Sequence, residues 1–351
     1  MSEIIERISE VGKFADVKSD MNNGFTVVAF SPGSVRACNY VGGSSAAVEL
    51  DFEAEVPAAR LLKVCKALPS ADIRLVPQTN GERPRLEFHQ GESKAFLDTL
   101  QKGSAVKMAK PGAKAKWVEV HGLDEVGRVD WSTSKDESRR HLSCLHLGKY
   151  GIAATNGHSA ATLSTPGDLE KELGKDGGIL VPPDMLKGLP ATVQVSLHGQ
   201  QLFIAEDPDS GNYRVANLLD AQFPPIEHVL KPMRDMPSMV VPRQALEDMI
   251  KRAKLADKDL VLSVEGERLR VIVDGQKRAL SLFDFEGSVP FEGSVPEGFI
   301  GFGVHLVLPA IQSCHSDKVT IHLKPAKKGS VEPMFISDGP YMVAIMPVRL
   351  P

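Results

Sequence analysis

Apolar and polar positions follow one order that is written three times along this chain. A helix-period run comes first, then two alternating runs of strand period. The first copy opens at Val56, places Leu61, Leu62, Val64, Cys65 and Leu68 on one arc of a helix, and continues with Ile73-Arg74-Leu75 and Leu86-Glu87-Phe88. The second opens at Val181 and continues with Val193-Gln194-Val195 and Leu202-Phe203-Ile204. The third opens at Val304 and continues with Val319-Thr320-Ile321 and Met334-Phe335-Ile336. The copies lie roughly 120 residues apart, too far for a solenoid repeat and about the length of a compact domain.

Around these copies the pattern predicts further elements. Residues 2–14 read as a helix with Ile4, Ile5, Ile8 and Val11 on one face. Strand-like runs cover 25–30, 35–40 and 46–50, separated by turn formers such as Ser31-Pro32-Gly33-Ser34 and Gly42-Gly43. The Lys-rich stretch 106–116 has no apolar period and reads as a linker. A helix from Arg243 to Leu255 places Leu246, Met249, Ile250 and Ala253 on one stripe. The hexapeptide Phe285-Glu286-Gly287-Ser288-Val289-Pro290 recurs at once as 291–296 and reads as a duplicated surface loop between two strands. Hairpins without β-α-β crossovers define an α+β class. The expected domains are 1–105, a linker 106–116, then 117–231 and 232–351.

Composition narrows the function without fixing it. A chain of 351 residues, 42% hydrophobic and 25% charged, can bury several cores. Its net charge of −4 argues against indiscriminate coating of nucleic acid, although a local basic face stays open. The four cysteines are scattered, with no C-x-x-C pair, and read as reduced buried thiols. No stretch has the length and apolarity of a membrane span, so a cytoplasmic protein is the expectation.

The chemistry-bearing motifs are nearly all missing: no phosphate-binding Gly-rich loop, no H-E-x-x-H, no EF-hand loop, and no defensible metal spacing among ten histidines. Gly157-His158-Ser159-Ala160-Ala161 comes near a G-x-S-x-G nucleophile elbow. That motif needs a helix behind it, and Thr162 to Gly167 breaks one. Thr155-Asn156-Gly157-His158 reads instead as a tight turn between two strands, with Asn-Gly supplying positive φ angles.

The same turn resembles the T-D-G-H-R-L-A segment of the bacterial DNA polymerase III beta subunits, the sliding clamps. Three other places agree in order. Leu218-Leu219-Asp220-Ala221-Gln222-Phe223-Pro224 is similar to the family's L-I-D-G-x-F-P. Tyr341 to Leu350, ending Met346-Pro347-Val348-Arg349-Leu350, is similar to its terminal Y-V-V-M-P-M-R-L. Leu61-Leu62-Lys63 to Leu68-Pro69 is similar to its first-domain helix. The resemblance spans almost the whole chain.

What it implies is a clamp fold of three similar domains, two chains closing head to tail into a homodimeric ring. Helices would line a hole that double-stranded DNA threads without being read. The implied role is a non-catalytic processivity factor, without cofactor or metal. It would tether the replicative polymerase and the clamp loader through short linear motifs, with no membrane partner. The alternatives are a clamp-fold protein that sequesters a partner without loading on DNA, and a hydrolase using Ser159.

Basic helix faces are the DNA candidates. On the first-copy helix Arg60, Lys63 and Lys66 centre opposite the apolar arc. Lys135, Arg139 and Arg140 follow in the second segment, and Arg243, Lys251 and Lys254 in the third, diluted by Glu247 and Asp248. The resemblance assigns a peptide pocket to Leu142, Thr155, Gly157, His158, Pro224, Val229, Ile345, Met346, Pro347, Arg349 and Leu350. Ser159, Ala160, His228 and Val348 stand in the same pocket where the family carries Arg, Leu, Arg and Met.

Overall fold

Pro57 ends a strand and opens a helix, its φ of −65° and missing N–H suiting the first turn, and this strand-to-helix step recurs down the chain. The computed structural model describes residues 3–17, 24–77, 83–256, 259–273, 285–327 and 330–349. The first segment runs α1 (Glu3–Gly12), β1 (Val27–Ser31), β2 (Ser34–Cys38), β3 (Gly42–Ala47), β4 (Ala54–Pro57), α2 (Ala58–Ala67), β5 (Asp72–Val76), β6 (Arg85–Gln90) and β7 (Ser93–Asp98). The second runs β8 (Val118–His121), three short 3-10 turns, β9 (Leu145–Gly148), β10 (Gly151–Thr155) and β11 (Ser159–Leu163). It continues with α3 (Leu169–Leu173), β12 (Ile179–Val181), α4 (Pro183–Leu186), β13 (Thr192–His198), β14 (Gln201–Ala205) and β15 (Tyr213–Asn217). After the linking helix α5 (Glu227–Leu230), the third starts with β16 (Ser238–Pro242), α6 (Arg243–Ala256), β17 (Asp259–Glu265), β18 (Arg268–Val273), β19 (Phe285–Pro290) and β20 (Glu292–Ser294). It ends with β21 (Gly298–Gly303), α7 (Val304–Gln312), β22 (Lys318–His322), β23 (Met334–Asp338) and β24 (Tyr341–Ile345).

These elements form two compact units: residues 1–121 with 184–220, and 122–183 with 221–351. The first holds an antiparallel sheet in the order β4-β1-β2-β3-β15-β14-β13-β8 and a smaller one, β5-β6-β7. Its core joins Ile5, Ile8 and Val11 of α1 and Leu61 and Cys65 of α2 to Phe30, Val35, Leu86 and Phe88. The helices approach closely at Gly12, where a Cβ would sit 2.9 Å from Leu62 Cδ2.

The second unit holds the sheet β12-β9-β10-β11-β24-β23-β22-β16-β20 and the sheet β19-β18-β17-β21. Two long-range pairings follow one rule. The last strand in the first half of one segment pairs with the last strand in the second half of the next: β3 with β15, and β11 with β24.

Several expectations shift. Gly42-Gly43 is not a turn but the start of β3, because a Cβ on Gly42 would lie 2.2 Å from the Val215 carbonyl oxygen. The stretch 106–116 carries no helix or strand, yet Met108 is buried against Phe203 and Val215. The duplicated hexapeptide is not a loop. Its first copy is β19, paired along β18, and its second supplies β20 on β16.

Candidate peptide pocket and nucleic-acid face

The turn between β10 and β11 is built by three side-chain and backbone devices. Asn156 Oδ1 accepts from the His158 and Ser159 amides at 2.8 Å each, and Thr155 Oγ1 donates to the Ser159 carbonyl at 2.6 Å. Only Gly157 takes a positive φ, +88°; Asn156 stays in the ordinary region because its amide oxygen closes the turn in the manner of an Asx turn. The pairing of β11 with β24 places Ser159 opposite Ile345 and Ala160 opposite Ala344, and the Met346 amide donates to the His158 carbonyl at 2.9 Å. The chain end is thereby stitched to the turn. Further on, the Val348 amide donates to the Gly301 carbonyl at 2.9 Å.

Strand alternation then sorts the predicted pocket residues. Thr155, His158, Ala160 and Met346 share a sheet face with Ala153 and Ala344. That face carries an apolar cluster of Ala153, Ala160, Ala344, Phe335, Leu230 of α5 and Ile226 just before it, flanked by half-buried Phe223, Val229 and Met342. Met346 is 39% exposed beside it. Pro224 and Val229 are half-buried, and His158, Gly157, His228 and Arg349 are exposed. Pro347 and Val348 are half-buried, Leu142 is buried, and Leu350 lies outside the described residues. Ser159 and Ile345 take the opposite face. The Ser159 hydroxyl lies 2.7 Å from that of Ser132, inside a strand and not at a strand-to-helix turn, which removes the geometry a nucleophile elbow requires.

Helix α5 is pinned by groups the sequence reading did not single out. Lys149 donates to Glu227, with the ammonium 4.9 Å from the centre of the Tyr150 ring. The Lys149 hydrogen bond drives the Glu227 carboxyl down to about 2. His146 stacks on Phe223 with centroids 4.7 Å apart. Burial pushes its imidazole below the usual histidine value, while Nε2 bonds the Gly177 carbonyl at 2.9 Å.

The basic candidates divide. On α2, Arg60, Lys63 and Lys66 are exposed while Ala58, Leu61 and Cys65 are buried, as the helical wheel requires. Lys135, Arg139 and Arg140 are exposed but sit on or beside a 3-10 turn, Glu137–Leu142, kinked at Arg139. Arg139 is held 3.6 Å from Asp136 and reaches within 3.7 Å of the point where a Cβ on Gly157 would stand. It therefore neighbours the pocket turn. On α6, buried Glu247 pairs with Arg243 at 3.0 Å and Lys251 at 2.8 Å and accepts from Gln312 at 3.1 Å; Lys254 is exposed. The Lys251 hydrogen bond holds the Glu247 carboxyl low.

A second buried charge, Arg128, was also missed. Its guanidinium bonds the Ser313 carbonyl at 2.8 Å, Glu125 at 2.8 Å and Asp338 at 3.1 Å, and lies over the Tyr341 ring. Partners so distant in sequence leave no local signal.

No protein-family model matches the chain. Among curated proteins it is 26% identical to the beta sliding clamp of Pseudomonas putida over 318 residues, covering 85% of this chain and 82% of that protein. Among solved structures it matches the DNA polymerase sliding clamp of Pseudomonas aeruginosa, with a TM-score of 0.78 and 19% identity over 99% and 97% of the two chains. The DNA polymerase III beta subunit of Borrelia burgdorferi gives 0.82 and 15% over the same shares, and the clamp of Bartonella birtlesii, solved with griselimycin bound, 0.79 and 17%. The fold is that of the bacterial DNA sliding clamps. The sequence relation agrees with the fold: over most of its length the chain is similar to a bacterial beta sliding clamp.

Proposed function

We propose that the chain is a sliding clamp, a non-catalytic processivity factor whose two copies close into a ring around duplex DNA. The observation that carries this reading is the strand-pairing rule. It uses β3 with β15 and β11 with β24, and leaves two last strands, β7 and β19, each at the edge of its sheet among the described residues. The same rule applied once more joins β7 of one copy to β19 of the next, and two such joints close a head-to-tail ring. The repeating unit is then three domains, 1–105, 117–231 and 232–351.

Exposed Arg60, Lys63, Lys66, Lys135, Arg140 and Lys254 are the proposed phosphate contacts; Arg243 and Lys251, tied to Glu247, contribute less. Contacts to phosphate carry no sequence information and so permit sliding. The apolar face at Met346, Ala160 and Val229 is the proposed seat for a short linear motif of the replicative polymerase and the clamp loader in the cytoplasm. An apolar groove with a polar rim suits that task. Incubated with nicked circular DNA and a bacterial clamp loader, the protein is expected to co-elute with the circle and to leave it once the circle is cut. Equal retention on linear DNA rules the ring out, and failure to load favours the sequestering alternative.

A further inference from the structure

Strand β5 stands out when the three segments are laid over one another. Its alternation, Asp72-Ile73-Arg74-Leu75-Val76, matches Thr192-Val193-Gln194-Val195 in β13 and Lys318-Val319-Thr320-Ile321 in β22. Both counterparts are covered on their outer edge. β8 pairs along β13, Val120 opposite Val193 and Val118 opposite Val195; β16 pairs along β22, Val241 opposite Val319 and Met239 opposite Ile321. The covered apolar residues Val193, Val195, Val319 and Ile321 are at most 2% exposed. Among the described residues β5 pairs only with β6, and its Ile73 and Leu75 stay half-buried.

We infer that the outer edge of β5 binds an extended peptide of another protein, antiparallel, in which an acidic residue stands between two aliphatic ones. An open strand edge presents unpaired amides and carbonyls that a further strand satisfies, with alternate side chains giving the selectivity. The two covered counterparts supply the chemistry of the occupant. Opposite Ile73 and Leu75 stand positions filled elsewhere by Val118, Val120, Met239 and Val241. Opposite Arg74 stands the position of Val240 in one covered case, where it faces Thr320, and of Glu119 in the other, where it accepts from Gln194 Nε2 at 3.3 Å. Arg74 replaces that neutral donor with an exposed cation that makes no ion pair among the described residues. An acid placed across from it gains a charge-assisted bond.

The probe is a fluorescein-labelled peptide with the sequence of residues 117–122, Trp-Val-Glu-Val-His-Gly, titrated against the full chain. Saturable binding is expected, with slowed amide exchange at 72–76. Arg74→Glu sets a second carboxylate across from Glu87 on β6 and is expected to lower the melting temperature slightly. It is expected to weaken binding about fivefold, and a peptide with lysine at the glutamate position to recover it on that variant. Binding that Arg74→Glu leaves untouched, protection confined to β13 or β22, or no saturation overturns the inference. A drop in assembled mass on Arg74→Glu also overturns it, because a second copy of this chain would then occupy the edge.

Discussion

Asn156 and Gly157 divide the work of one turn: the glycine takes the left-handed backbone, and the asparagine amide oxygen holds two amides. The dipeptide announced a turn, and a turn is there. Gly42 was misread for the opposite reason, since its requirement comes from the Val215 carbonyl, which lies far along the chain. Local glycine logic reads backbone conformation well and close approach badly. His146 illustrates a titratable group hidden in the same way. Its Nε2 serves Gly177, and its Nδ1 is buried with no hydrogen-bond partner among the described residues, so a second proton has no acceptor. Glu170 and Glu227 favour that proton and Lys149 opposes it, but desolvation dominates and the folded value falls below the usual 6.5. The unfolded chain therefore takes up the proton first. The associated stability is present above pH 6.5 and is lost as pH falls through the folded value. Thermal melts between pH 7.5 and 5 should show a falling Tm, with a shallower slope in His146→Gln.

At the scale of elements, tertiary edges decide what local sequence leaves open. The repeated hexapeptide adopts two settings. In β19 Val289 is buried and Gly287 lies against Met249, while in the second copy Phe291 is buried and Gly293, at φ +124°, fits against the Ser238 carbonyl. The predicted helices α1, α2 and α6 were legible because their apolar stripes are long; the middle segment holds only 3-10 turns between β8 and β9, the last of them kinked at Arg139. The proposed pocket rests on the family resemblance alone. Its members come from β10, β11, α5 and β24, which no periodicity connects. Alternation then separates Met346 and Ala160 from Ser159 and Ile345. Met346→Ala should weaken binding of a clamp-binding peptide by about 1–3 kcal/mol, the usual cost of losing one buried apolar side chain, while the fold persists. Fluorescence titration checks this, and undiminished affinity would move the pocket elsewhere.

For the whole molecule, the threefold repeat was written in the sequence, but the sheets that run from one segment into the next were not. Strand pairing between residues more than a hundred positions apart leaves no periodic trace. The proposed ring makes a firm demand on β7. Phe96, 51% exposed on that edge with Arg85 4.4 Å from its ring centre, would be covered by β19 of the next copy. Phe96→Asp should convert the assembly to single chains of 38.0 kDa, read by light scattering after gel filtration. An unchanged mass would place the joint on another surface. One more consequence follows from the pairing of β3 with β15. During synthesis, β3 leaves the ribosome well before its partner exists, a delay of about 10–30 s at ordinary elongation rates. A bare strand edge is an aggregation template for that interval. The sequence of β3, Gly42-Gly43-Ser44-Ser45-Ala46-Ala47, carries no large apolar side chain with which a neighbouring nascent chain could pair, so the edge waits without becoming adhesive.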